Sequence, residues 1–142
     1  MRQALFLFLS LVLAGCTGSD MGLNIATDSL PAEVRLHVGQ SFNIPQEFYS
    51  VTFEKVTGDS RCPIGFMCIW AGDGATKMTI RHQTASVKDC TLHTTLDPKL
   101  IEFGRFFMRL KNLEPYPKSD VRIDPLEYVA TVEIDWAVKA PD

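Results

Sequence analysis

"EYVATVEIDWAV", residues 127–138, carries the reading that decides the fold class. Tyr128, Ala130, Val132, Ile134, Trp136 and Val138 alternate with Val129, Thr131, Glu133, Asp135 and Ala137. Successive side chains of an extended chain point to opposite faces, so a period of two with one apolar face predicts a half-buried β-strand.

The same pattern recurs outward from there. "EVRLHV" (33–38) turns Val34, Leu36 and Val38 one way and Glu33, Arg35 and His37 the other. "YSVTFEKV" (49–56) groups Tyr49, Val51 and Phe53, and "RFFMRLKNL" (105–113) groups Phe106, Met108 and Leu110. Met67, Met78 and Met108 fall at core-like strand positions and read as packing. Gly39 and Gln40 mark a turn after the first strand. Asp73 and Gly74 both tolerate positive φ, and they predict a hairpin joining 67–71 to 75–82. Pro115 and Pro117 make "LEPYPKSDVRIDP" (113–125) a connection, because proline cannot donate to a ladder. "DPKLIEF" (97–103) predicts one helical turn, with Asp97 as its cap and Pro98 at its first position. No long stretch has a helical period. About seven short strands predict an all-β fold, an antiparallel sandwich or a small barrel. Local pattern does not choose between those two.

The N-terminus carries an address. In "MRQALFLFLSLVLAGC" a single cation, Arg2, precedes an apolar run that ends in small residues. That is the form of a secretory signal peptide over residues 1–15. The run is short for a transmembrane helix, which needs about 20 residues. Leu13-Ala14-Gly15-Cys16 resembles the lipobox of bacterial lipoproteins. The resemblance implies cleavage before Cys16, a diacylglyceryl thioether on Cys16 and further acylation of its amine. An ordinary signal peptide with an incidental Cys16 is the alternative. Buried methylenes contribute about 0.8 kcal/mol each, so two or three acyl chains form a stable anchor. Thr17, rather than aspartate, follows Cys16; by the same resemblance the address is the outer membrane, on either face. Residues 16–32 read as the lipidated cysteine and a flexible tether, with a typical reach of about 20 Å. Residues 33–142 form one domain, long enough for one core.

Removing Arg2 leaves 13 Lys+Arg against 17 Asp+Glu, a formal charge of −4. A mildly acidic chain without a basic run is a poor match for nucleic acid. No motif points to a cofactor: the EF-hand spacing, the Walker lysine, the G-x-S-x-G elbow and H-E-x-x-H are all missing. The partners this leaves are the membrane, through the N-terminal lipid, and an envelope protein or small ligand.

"GDSRCPIGFMCIWAGDG" (58–74) holds Cys62 and Cys68 with five residues between them. Thioredoxin-like sites use C-x-x-C, and zinc sites use two closer pairs. In an oxidising compartment the spacing predicts a structural disulfide closing a short loop, contributing about 2 kcal/mol. Pairing of either cysteine with Cys90, or a metal, stays open. "DSRCP" followed by "CIWAG", then "PYPKSD" and "IDPLEYVATVEI", resembles a group of small bacterial lipoproteins and secreted proteins. The matching positions are Asp59, Arg61, Cys62, Pro63, Cys68, Trp70 and Gly72. The resemblance implies one β-rich domain with a short disulfide loop, and it carries over no catalytic residue.

Asp59 and Arg61 have two readings. Locally, Asp59 caps a turn while Arg61 pairs with a carboxylate or covers Trp70. Functionally, Asp59, Arg61 and Trp70 line a ligand site in which the arginine fork grips an anion. Cys90 is the odd thiol. With His93 and His82 it is the candidate copper or zinc set, although residues three apart on a strand face opposite ways. A buried cysteine acting as a small hydrophobe is the plainer alternative. Asp120, Asp124 and Glu127 read as a solvated rim. The favoured expectation is a membrane-anchored, non-catalytic binding or envelope-accessory module. A metal-handling or redox lipoprotein using Cys90, His93 and His82 is the alternative, and an enzyme whose site forms only in three dimensions comes third.

Overall fold

A computed structural model describes residues 30–44 and 47–137. The expected signal peptide, Cys16 and all but the last three residues of the expected tether lie outside that range, as does Val138. Eight strands are described, one more than expected: β1 (Ala32–His37), β2 (Ser41–Asn43), β3 (Tyr49–Asp59), β4 (Gly74–His82), β5 (Ala85–His93), β6 (Leu100–Phe103), β7 (Phe106–Glu114) and β8 (Val129–Trp136). They form two four-stranded antiparallel sheets, ordered β1-β8-β7-β6 and β2-β3-β4-β5. The fold is sandwich-like. The chain passes from one sheet to the other after β1, where Gly39 (φ +82°) donates to the Phe53 carbonyl and the Gln40 carbonyl receives the Phe53 amide.

The apolar faces read from the sequence meet between the sheets. Val34 and Leu36, Val51 and Phe53, Phe106, Met108 and Leu110, and Ala130, Val132 and Ile134 are all buried there with Met78, Ile80 and Leu92. β8 lies centrally between β1 and β7, and Val129 and Thr131 on its other face are buried as well. A bulge between Leu110 and Asn112 sends Leu113 inward three residues after Leu110, which strict alternation forbids. The strand ends define two poles. At one, Ala32 pairs Ile134, Phe106 pairs Trp136, and the Tyr49 ring lies 5.7 and 5.8 Å from Phe103 and Phe106. At the other, Asp59 pairs Gly74 and Glu114 pairs Val129. The eleven residues of β3 separate the poles by about 30 Å. Leu30, where the described chain begins, is at the first.

Three local expectations are corrected. The predicted hairpin at Asp73 and Gly74 does not form: Gly74 opens β4, and β4 pairs with β3 and β5. Residues 67–71 are not a strand. Positive φ falls on Gly72 instead (+72°). The predicted helical turn at 97–103 is also absent, because Leu100–Phe103 is β6 and joins β7 through Gly104 and Arg105. Gly104 (φ +57°) allows that tight turn, and a Cβ there would lie 2.8 Å from the Tyr49 hydroxyl. The third correction is Met67, which is fully exposed, whereas Met78 and Met108 are buried as expected.

Candidate functional site

The stretch 58–74 is the tip of the β3–β4 hairpin. Pairing continues past the strands: the Ser60 amide donates to the Asp73 carbonyl (2.7 Å) and the Cys62 amide to the Ala71 carbonyl (2.9 Å). Gly72 makes this crossing feasible, since a Cβ there would sit 1.9 Å from the Ser60 carbonyl oxygen. Beyond the crossing the chain opens into a loop closed by the Cys62–Cys68 disulfide, with a Cα separation of 5.9 Å. The expected structural bridge is present.

Two buried polar knots fix this tip to the sandwich. In the first, Arg61 donates to both carboxylate oxygens of Asp59 (Nε 2.8 Å, Nη2 2.6 Å), to the Pro115 carbonyl (2.9 Å) and to the Leu113 carbonyl. Its guanidinium stacks 4.9 Å from the Tyr116 ring centre, and Tyr128 donates its hydroxyl to Asp59 (3.0 Å). Burial pushes the Asp59 carboxyl up, but the Arg61 and Tyr128 hydrogen bonds and the Arg61 charge outweigh it and hold it below its ordinary value. Burial and the Asp59 charge push the Tyr128 hydroxyl up to about 12.

The reading of Asp59, Arg61 and Trp70 as an anion site is therefore corrected. The fork of Arg61 is filled from inside, and its side chain is only 4% exposed. Arg61 covers Tyr116 rather than Trp70, which stands half-exposed on the loop.

In the second knot, Asp73 accepts from His93 Nδ1 (2.6 Å), from the amides of Thr95 (2.9 Å) and Leu96 (3.2 Å), and from the Thr94 hydroxyl (3.3 Å). Burial opposes ionisation of Asp73. The bonds from His93, Thr95 and Leu96 overcome it and lower the pKa. An Asp–His pair is the orienting half of a catalytic triad. Among the described residues, however, no hydroxyl or thiol bonds this imidazole. The pair ties the start of β4 to the end of β5, and the bonds from Thr94, Thr95 and Leu96 extend the tie to the connection that follows.

The metal set is also corrected. Cys90 pairs Met78 in register, His93 pairs Ala75, and His82 lies at the far end of β4 opposite Ala85. Cys90 leans into the core and donates to the Met78 carbonyl (3.6 Å), and burial pushes its thiol up to about 11. His82 packs on the Tyr49 ring at 4.6 Å. Among the described residues no three His, Cys, Asp or Glu side chains gather as metal ligands. The straight run of β5 is the reason, because Cys90 and His93 face opposite sides of it.

What remains at this pole is apolar surface. Ile64 and Phe66 are each 60% exposed, Met67 102%, Ile69 106% and Trp70 54%. Tyr116 (44%) and Val121 (59%) belong to the neighbouring connection, which the loop joins where the Ile64 amide meets the Pro117 carbonyl (3.0 Å) and Ile64 bridges Lys118. The loop and Tyr116 line a shallow, open hollow of about 650 Å³. The exposed set escaped the sequence reading except at Trp70. One signal was available: residues 63–71 carry five large apolar side chains and no charge.

No family model, curated protein or solved structure matches the chain.

Proposed function

We propose that this chain is a lipid-anchored extracytoplasmic lipoprotein of the outer membrane, a non-catalytic binding or envelope-accessory module that works through its disulfide-closed loop. The observation that carries the reading is the exposure of Ile64, Phe66, Met67, Ile69 and Trp70 on a loop held rigid by Cys62–Cys68 and by the Arg61 knot. Exposed large apolar side chains grouped in one patch mark interaction surfaces. A closed loop loses little conformational freedom on docking, which favours binding. The pole opposite Leu30 is the one a tethered domain holds away from its bilayer. The resemblance of Leu13-Ala14-Gly15-Cys16 to a lipobox supplies the anchor.

Mass spectrometry of the chain extracted from its own membrane tests the anchor. The expected N-terminal peptide begins at a Cys16 bearing acyl chains, and Cys16→Ser releases the protein from the membrane fraction. An unmodified Cys16 within an intact or differently cleaved N-terminus removes the lipoprotein reading.

A further inference from the structure

We infer that the apolar pole docks against the same pole of a second copy of this chain, forming a twofold dimer. This rests on the reading of that pole as the binding surface and names its partner.

Size is the first support. Large side chains present about 150–250 Å² each when bare, so the seven exposed apolar residues offer roughly 800 Å² together. The largest apolar patch of a typical monomer is about 300–600 Å², whereas a standard stable interface takes about 800 Å² from each partner.

Shape is the second. A twofold contact uses the same patch on both sides, so the patch must hold both a projection and a recess to receive it. Met67 and Ile69 project fully and form part of the rim of the shallow hollow that the loop shares with Tyr116.

Charge is the third. Residues 62–71 carry none, and the adjoining exposed connection sets Lys118 and Arg122 against Asp120, Asp124 and Glu127, a net charge of only −1. Two copies meeting here bring together uncharged loops with one net negative charge each at the rim, although the chain as a whole is more acidic.

Native mass spectrometry of the mature chain released from detergent, titrated through the micromolar range, reads the association directly. The expected result is a dimer that Ile69→Asp dissociates. A hot-spot loss is about 30-fold per copy, and the symmetric contact carries it twice, so Kd rises on the order of 1000-fold. Ile69 is fully exposed, so an unchanged far-UV circular dichroism spectrum will show that the variant folds, while its melting temperature falls only to that of the free monomer. Phe48→Asp, exposed at the opposite pole, leaves the dimer intact.

A wild-type chain that stays monomeric, or a dimer indifferent to Ile69→Asp, overturns the proposal. If the chain is monomeric and Trp70 emission, isolated in a Trp136→Phe background, is quenched by brominated phosphatidylcholine vesicles, the pole is a membrane-inserting tip. The second copy is then wrong while the binding-surface reading stands. If the chain is monomeric and vesicles leave Trp70 unquenched, both fall.

Discussion

Arg61→Met tests the central claim about the loop's foundation. The Arg61 and Asp59 side chains are 4% and 9% exposed, so their pairing lies in a low-dielectric setting. Methionine keeps length and apolar volume but removes the charge and all four hydrogen bonds. Asp59 is left with the Tyr128 hydroxyl and the backbone amide of residue 61, and the carbonyls of Leu113 and Pro115 lose a donor. Breaking a buried pair from one side costs about 3–5 kcal/mol, a large share of the roughly 5–15 kcal/mol that stabilises a domain. At roughly 4 °C or more per kcal/mol, the melting temperature falls by about 15 °C or more.

The pH dependence has a definite sign. In the wild type the Asp59 pKa is lowered, so its contribution is present above the unfolded value of about 3.9 and is lost as pH falls through the lower folded value. In the variant the Arg61 side-chain bonds and charge are gone, so the Asp59 pKa rises above its wild-type value. The variant's deficit is therefore largest at neutral pH and shrinks as acid protonates Asp59. Urea unfolding followed by tryptophan fluorescence at several pH values measures this, and Asp59→Asn added to Arg61→Met should recover part of the loss. A loss under about 1 kcal/mol, or a double variant worse than the sum of the singles, would refute the buried-pair account.

Three further outcomes are expected. Gly72→Ala places a Cβ against the Ser60 carbonyl and forces alanine to φ +72°; urea unfolding should show a loss above about 2 kcal/mol, or no folded protein. Reducing Cys62–Cys68 should cost about 2 kcal/mol by the same method while far-UV circular dichroism of the sandwich persists, because the bridge closes only a short loop at its end. Cys90, half-buried with its thiol pushed up to about 11, should alkylate slowly with iodoacetamide at neutral pH and rapidly once urea unfolds the chain.

Much of the architecture was legible because strand burial is a local code. Period-two alternation marked the faces of β1, β3, β7 and β8, since a side chain's side of the sheet follows from its parity alone. The Cys62–Cys68 bridge was legible for a similar reason, as a short spacing brings the two sulfurs together without reference to the rest of the chain. Parity failed at the bulge that turns Leu113 inward, where one extra residue resets the count. It failed again in the loop, where Met67, Ile69 and Trp70 alternate as a strand would but find no neighbouring strand to pair with.

The sequence by itself determined the class of fold, the main apolar faces and the staple. Tertiary structure alone decided the rest. It placed Tyr128 against Asp59 across 69 positions and Arg61 beneath Leu113 and Pro115, turning an apparent anion grip into a buried brace. It joined Asp73 to His93. Those partners meet through the packing of two sheets, and the number of residues between them along the chain carries no trace of it. The same packing buries one apolar set and leaves another at the pole, because a sandwich has covered faces and open ends.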